Sequence, residues 1–121
     1  MRAESLNELL QRRAQGEGPY LEFVREESMS VGLYVLPAGA VDHQQPHSED
    51  EVYVVLAGRG RFSAGDDTRH VGPGDTLFVP ATEPHHFHEI EQELRLIVVF
   101  APPEGTRSSI GTRKAMERRR S

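Results

Sequence analysis

From Tyr20 to Phe100 the chain alternates short apolar runs with turn-forming residues at close intervals. The apolar runs are rich in Val, Leu, Phe and Tyr, and Gly, Pro and Asp separate them, which is typical of strands joined by turns. Strands are predicted over residues 20–25, 30–36, 51–56, 60–64, 76–79, 86–90 and 94–100. Many short strands at even spacing favour an antiparallel sandwich or a small barrel, so the predicted fold class is all-β.

The residues before the first strand predict a short helix, from about Ser5 to Ala14. Ser5 to Glu8 resembles a capping box ahead of two leucines, and a Gly-rich segment follows the helix. The pattern divides the chain into a helix with its linker (1–18), a strand-rich barrel domain (19–104) and a tail (105–121).

The charge is distributed unevenly along the 121-residue chain, whose net charge is −5. Residues 1–104 carry 8 Arg and 18 acidic residues, or −10, whereas residues 105–121 carry 6 basic residues and Glu117, or +5. Such a tail can bind nucleic acid or an anionic membrane, or pair with the acidic body of its own or a neighbouring subunit. Because no aromatic residue is interleaved to stack on bases, we favour a paired or solvated tail and expect no nucleic-acid partner.

The composition also excludes several kinds of chemistry. There is no cysteine, which rules out disulfides, thiolate metal sites and a cysteine nucleophile. The only lysine, Lys114, lies near the end of the chain, which argues against Schiff-base chemistry in the core. No apolar run of about 20 residues and no signal-peptide core is found, so we expect a soluble, cytoplasmic protein with no membrane partner.

Five of the six histidines lie in two glycine-bounded blocks, PAGAVDHQQPHSEDEVYVVLAGRG and GPGDTLFVPATEPHHFHE. In the first block Gln45, His47 and Glu51 share one parity, so on an extended chain their side chains project to one face. The second block adds His85 after a Gly-Asp turn and a Pro-bounded strand. Two imidazoles, a carboxylate and an amide oxygen can hold a divalent transition metal and leave positions open for water or substrate. These four residues are the predicted metal ligands.

The two blocks resemble the paired motifs of the cupin superfamily, G-x5-H-x-H-x3,4-E-x6-G and G-x5-P-x-G-x2-H-x3-N. The spacing from Gly39 to Gly58 matches the first motif in full, and Gly74, Pro80 and His85 match the second. The resemblance covers about residues 30–101. It implies a small single-domain cupin whose fold is a double-stranded β-helix, or jelly roll, with the site inside the barrel.

Three positions depart from the family pattern: Gln45 replaces the usual first histidine, Thr82 replaces Gly and Glu89 replaces Asn. The amide oxygen of Gln45 can act as a weak neutral ligand or hydrogen-bond the ligand sphere from outside. The remaining His, His, Glu set suits Fe(II), and Mn, Ni, Co and Zn are further candidates. The opposing interpretation is that the loss of one imidazole leaves the site empty. His43 could replace the missing ligand if the segment bends, although the family spacing argues against this.

The other histidines and the aromatic residues have simpler interpretations. If His85 faces inward, His86 and His88 lie on the opposite face and serve packing or hydrogen bonding, and a register shift of one residue would exchange these roles. His70 is interpreted as a solvated surface residue. The aromatic residues predicted to face inward are Tyr34, Tyr53, Phe62, Phe78, Phe87 and Phe100.

Tyr53 is the candidate catalytic residue. It shares parity with Glu51, and its hydroxyl could donate to a substrate or relay a proton. Two functional hypotheses follow from these residues and the resemblance. The first is a metal-dependent enzyme on a small organic substrate, of the dioxygenase, lyase or isomerase type. The alternative is a non-catalytic cupin that binds or senses a small molecule. A homodimer is expected, because the strand at 51–56 is apolar on both faces and cupins commonly dimerise.

Overall fold

The computed structural model describes residues 1–44 and 46–105. Within this part the elements are the helix α1 (Leu6–Gln15) and the strands β1 (Tyr20–Arg25), β2 (Ser30–Leu36), β3 (Asp50–Ala64), β4 (Asp67–Val71), β5 (Thr76–Val79) and β6 (His85–Ala101). All the strand pairs are antiparallel. The predicted all-β fold with a short N-terminal helix is confirmed. Gln45 and nearly all of the basic tail lie outside the described residues.

Two long strands form the frame of the barrel. The sheet order is β1-β2-β6-β3-β4, and β5 pairs with β3. β3 and β6 run side by side from Asp50↔Ala101 to Ala64↔His85. The first part of β3 also pairs with β5 and the last part with β4. The paired strands β3 and β6 form one long ribbon, to which the other strands add on both sides. A bend in this ribbon closes the sheet into a jelly-roll barrel.

The predicted breaks inside these two strands are wrong. Residues 51–56 and 60–64 belong to the single strand β3, and 86–90 and 94–100 belong to β6. The β3–β6 register instead shifts between Val55 and Arg61, so the Ala-Gly signal marks bulges rather than a turn. Gly58 has a φ of +98°, and a Cβ there would lie 2.1 Å from the carbonyl oxygen of Glu93. Glycine is therefore needed where the two backbones approach.

The prediction missed β4, because its sequence, DTRHV, is almost entirely polar and has no apolar alternation. β4 is an exposed edge strand, and its cross-strand pairs with β3 rather than a buried face hold it in the sheet. His70 lies on this strand, not in a turn, and its exposure agrees with the predicted surface position.

The barrel core is formed by the inward faces of β3, β5 and β6. Four of the predicted inward aromatics, Tyr53, Phe62, Phe87 and Phe100, are buried in it. Phe78 is a correction: it is 64% exposed, because Leu77 and Val79 are the residues of β5 that face the core. A parity argument assigns the two faces of a strand but does not say which face is inside when both are apolar.

The helix covers part of the outer face of the sheet. Ser5 accepts a hydrogen bond from the Glu8 amide, and the Glu8 side chain returns to the Ser5 amide, so the predicted capping box is present. Leu9 packs with Leu33 and Val35 in a second cluster, outside the barrel. No helix in the described ranges has the length and apolar character needed to cross a membrane.

Candidate metal centre

Glu51, His85 and His47 converge at one end of the barrel. Glu51 lies near the start of β3 with its side chain inward, His85 is the first residue of β6, and His47 lies just before β3. One ligand atom from each residue lies within 4.8 Å of the other two. Glu51 Oε2 is 3.0 Å from His85 Nε2 and 3.8 Å from His47 Nε2. The structure therefore brings together three of the four predicted metal ligands.

The donor atoms of this cluster have few competing partners. Both carboxylate oxygens of Glu51 and Nε2 of His85 are buried, and they make no hydrogen bond of good geometry within residues 1–44 and 46–105. A buried carboxylate without hydrogen bonds is costly unless a cation or donor compensates it. His85 Nδ1 lies 2.8 Å from the carbonyl oxygen of Glu83, which can only accept, so Nδ1 carries a proton and Nε2 faces the carboxylate. The donor set therefore fits a divalent metal.

The electrostatic environment of His85 points in the same direction. Burial opposes a positive charge on this imidazole, but the Glu51 carboxylate and the Glu83 carbonyl outweigh burial and raise the pKa of His85. The Glu51 carboxylate, which stabilises an imidazolium ion at Nε2 of His85, would also stabilise a metal cation there.

The loop before β6 is tied to the segment that carries His47. The Thr82 amide donates to the His47 carbonyl at 2.6 Å, and the Ala81 amide donates to Asp50 Oδ1 at 2.9 Å. Thr82 adopts a φ of +70°, in the left-handed region, at the position where the cupin motif has Gly. These bonds place His47 and His85 beside one another although they are far apart in the sequence.

A cavity of about 390 Å³ opens beside the cluster. Its lining residues are Pro19, Tyr20, Tyr34, Leu36, Val41, His43, Gln44, His47, Tyr53, Val98, Phe100 and Glu104. Burial first, and then the Glu51 carboxylate, hold the pKa of Tyr53 well above its usual value, so its phenol stays protonated. A mostly apolar cavity with a few polar groups is the usual form of a small-molecule site.

The remaining predicted residues are placed as follows. His43 is exposed at the cavity wall and is not part of the ligand cluster. His86 is exposed, and His88 is half-buried with its Nε2 2.8 Å from the Ser63 hydroxyl, so both lie away from the ligands. Gln45 lies outside the described residues, and its role stays a prediction.

Sequence reasoning missed Asp42 and Gln44. Asp42 is 7% exposed and accepts hydrogen bonds from Tyr34, from Gln44 and from the Phe87 amide. Gln44 also accepts from the Tyr53 hydroxyl at 2.8 Å. Strand parity could not find them, because residues 41–44 form no strand in the structure. The available signal was an acid, Asp42, set apart from the Glu49–Glu51 acidic run in the segment between two apolar strands.

The comparison with protein families decides the classification. The family model for the cupin domain matches residues 32–100, more than half of the chain. The chain belongs to the cupin family. An uncharacterized protein of Streptomyces coelicolor is 50% identical to this cupin over 104 residues, covering 86% of this chain and 99% of the relative.

Two other proteins resemble this cupin at lower identity. The crystal structure of TT1209 from Thermus thermophilus is 28% identical with a TM-score of 0.67, and the match covers 85% of this chain and 99% of that one. Dimethylsulfoniopropionate lyase DddQ of Ruegeria pomeroyi is 29% identical over 75 residues, or 61% of this chain. Its crystal structure aligns with a TM-score of 0.59. This cupin spans 37% of the length of the lyase.

Proposed function

We propose that this cupin is a metal-dependent enzyme of the lyase type that acts on a small organic substrate. The observation that carries the proposal is the buried Glu51 carboxylate, which lies between two imidazoles beside a cavity and, among the described residues, receives no amide or hydroxyl hydrogen bond of good geometry. An ordinary structural role would leave such a carboxylate paired by amide or hydroxyl donors. The resemblance to DddQ favours a lyase over the dioxygenase and isomerase types, and its substrate is a first probe rather than an assignment.

In this proposal His47, Glu51 and His85 hold the metal, and Gln45 is a candidate fourth ligand. The identity of the metal is open among Fe, Mn, Ni, Co and Zn, since imidazole and carboxylate ligands suit all of them. When bound, a divalent cation would act as a Lewis acid on an oxygen of the substrate. The Glu83 carbonyl would support it by fixing the proton of His85 on Nδ1.

The residues of the chain then orient the substrate and exclude water. Phe100 and Tyr53 form apolar walls. The ring centroid of Phe100 lies 5.0 Å from that of His47, and the ring centroid of Tyr53 lies 6.0 Å from that of His85. Tyr53 presents a neutral phenol, so its proposed role is to contact the substrate and keep its own proton.

The test is metal content followed by turnover. Wild-type protein should bind about one Zn²⁺ or Ni²⁺ per chain by calorimetry, and His85→Ala should weaken binding at least about 100-fold because an inward ligand is lost. His86→Ala is the matched control: the neighbouring histidine is exposed, and its loss should leave metal affinity unchanged. Equal affinity in wild type and His85→Ala would reject the proposed site.

Turnover distinguishes the enzyme from the binding module. The metal-loaded protein would be incubated with dimethylsulfoniopropionate and with a panel of keto acids, catechols and sugar acids. Release of a product by an elimination supports the lyase type. Metal-dependent binding across the panel without turnover would contradict it and support the non-catalytic alternative.

A further inference from the structure

A chain of hydrogen bonds in the cavity wall starts at Asp42. Its carboxylate receives three donors: the Phe87 amide on Oδ2 at 2.8 Å, Gln44 Nε2 on Oδ2 at 2.7 Å, and the Tyr34 hydroxyl on Oδ1. Gln44 then passes the chain on, since its Oε1 accepts from the Tyr53 hydroxyl at 2.8 Å. None of the three proposed metal ligands is a member of this network, although burial and then the nearby Glu51 carboxylate raise the pKa of the Tyr53 phenol.

The direction of every bond in this network is determined by Asp42. An ionised carboxylate has no donor, so the atom of Gln44 that faces it must be the amide nitrogen. The amide oxygen of Gln44 is thereby turned toward Tyr53, whose single hydroxyl proton is used in this bond. The hydroxyl proton of Tyr34 is likewise used on Asp42 itself. The backbone amide of Phe87, buried in the wall, anchors the carboxylate.

We infer that Asp42 is a positioning residue that sets the hydrogen-bond polarity of the cavity, so that the cavity selects ligands carrying an O–H or N–H donor. Tyr34 and Tyr53 both line the cavity, and with their protons committed to the wall each can only accept from a ligand. A ligand carbonyl or ether oxygen placed beside either tyrosine would face the phenol oxygen with no proton between the two atoms. Such a contact is unfavourable for a buried polar group. The inference rests on the proposed function only in taking this cavity as the substrate site.

The charges around the cavity agree with this selection. None of its described lining residues is Lys or Arg, and Glu104 adds a carboxylate at the wall, 3.9 Å from His47 Nδ1. Tyr20 contributes a buried hydroxyl that has no hydrogen-bond partner in the described part of the chain and can donate or accept. The ligand class expected is therefore a small hydroxylated or aminated compound that bears its donor away from the metal.

The variant Asp42→Asn should change this polarity without a change of shape. In this variant the atom at the position of Oδ2 must remain an oxygen, because the Phe87 amide and Gln44 Nε2 both donate to it. The new amide nitrogen is then placed toward Tyr34, donates to its phenol oxygen and releases the Tyr34 proton into the cavity. Tyr34 changes from acceptor to donor toward the ligand, and a carbonyl group becomes acceptable.

The experiment compares γ-hydroxyvalerate with its ketone, levulinate, which have the same charge and nearly the same shape. Calorimetry of the Zn²⁺-loaded wild type should show at least about tenfold tighter binding of the hydroxyl compound, the value of one hydrogen bond. Asp42→Asn should bind levulinate about tenfold more tightly than wild type does, a gain that structural damage would not produce. Asp75→Asn, which alters another acid that accepts a backbone amide, is the control and should keep the wild-type preference.

A second readout needs no ligand. The hydroxyl proton of Tyr34, bonded to a carboxylate, should appear far downfield in the proton NMR spectrum of wild type, should be lost in Tyr34→Phe, and should shift upfield in Asp42→Asn. Three results would each overturn the inference. The first is a wild-type preference for γ-hydroxyvalerate over levulinate below about threefold. The others are an unchanged affinity for levulinate in Asp42→Asn and an unchanged chemical shift of the Tyr34 proton in that variant. Failure of Zn²⁺ to bind would reject the proposed function instead, and the NMR measurement, which needs neither metal nor ligand, would still decide the inference.

Discussion

Thr82 and Glu89 both adopt left-handed backbone conformations, with φ of +70° and +47°. These are two of the three positions where the chain departs from the cupin motifs, which have Gly and Asn there. Gly and Asn tolerate this region better than other residues. The departures therefore place local strain on either side of His85. Thr82 is held in place by the hydrogen bond from its amide to the His47 carbonyl.

Thr82→Gly should stabilise the protein by about 1 kcal/mol, because it removes the cost of a β-branched residue in the left-handed region. The measurement is the free energy of unfolding in urea. Thr76→Gly provides the control: Thr76 lies in strand β5, where glycine lacks this advantage, so that change should destabilise. Stabilisation by both changes, or by neither, would contradict the strain argument.

At the level of elements, the continuous β3–β6 ribbon determines where the ligands stand. Glu51 is the second residue of β3 and His85 is the first residue of β6. Because the two strands are antiparallel, these residues lie at opposite ends of the paired ribbon. They meet because the ribbon bends, and the bulges near Gly58 provide that bend. The geometry of the site thus depends on a backbone contact distant from the ligands.

Gly58→Ala should destabilise the protein by more than about 3 kcal/mol, since the new Cβ would collide with the backbone of β6 in addition to the strain of a positive φ. Gly74→Ala is matched in conformation, with a φ of +92°, but has open space around its Cβ. It should cost only about 1–2 kcal/mol. The difference between their free energies of unfolding in urea measures the cost of the close approach between Gly58 and the β6 backbone. Equal losses of stability in the two variants would contradict such a cost.

At the scale of the whole molecule, an apolar row crosses the outer face of the sheet. Val24, Val31, Val99, Val52 and Phe78 are successive cross-strand neighbours on β1, β2, β6, β3 and β5. The four valines are half-buried and Phe78 is exposed, whereas the neighbouring residues Leu33 and Ile97 pack in the cluster of α1. The row gives the expected homodimer a surface on which a second copy could dock.

Phe78→Ser should weaken a homodimer at least about tenfold, because it removes the largest apolar group of the row. Sedimentation velocity across a concentration series measures the dissociation constant. Val41→Ser is the control, since Val41 is 69% exposed against 64% for Phe78 but lies at the cavity instead of on the row. Sedimentation of the wild-type protein as a monomer at micromolar concentration would contradict the predicted homodimer.

Much of the fold could be predicted from the sequence. Periodicity and turn residues identified α1, β1, β2 and β5 with bounds within a residue, because local propensity and local burial agree in these segments. The spacing of the two glycine-bounded blocks also selected His47, Glu51 and His85, and the structure brings these three together.

What the sequence determined by itself is the all-β class, four elements with their bounds, the cupin motifs and the three residues of the candidate metal site, since all of these are encoded in short-range spacing. Only the tertiary structure decided that the Ala57-Gly58 signal marks bulges, that Phe78 points outward, and that Asp42 and Gln44 join the cavity wall. These depend on contacts between distant segments, such as Gly58 with Glu93 and Asp42 with Phe87. The direction of a hydrogen-bond network is a property of the assembled barrel, because each donor is oriented by a partner that the chain brings to it only on folding.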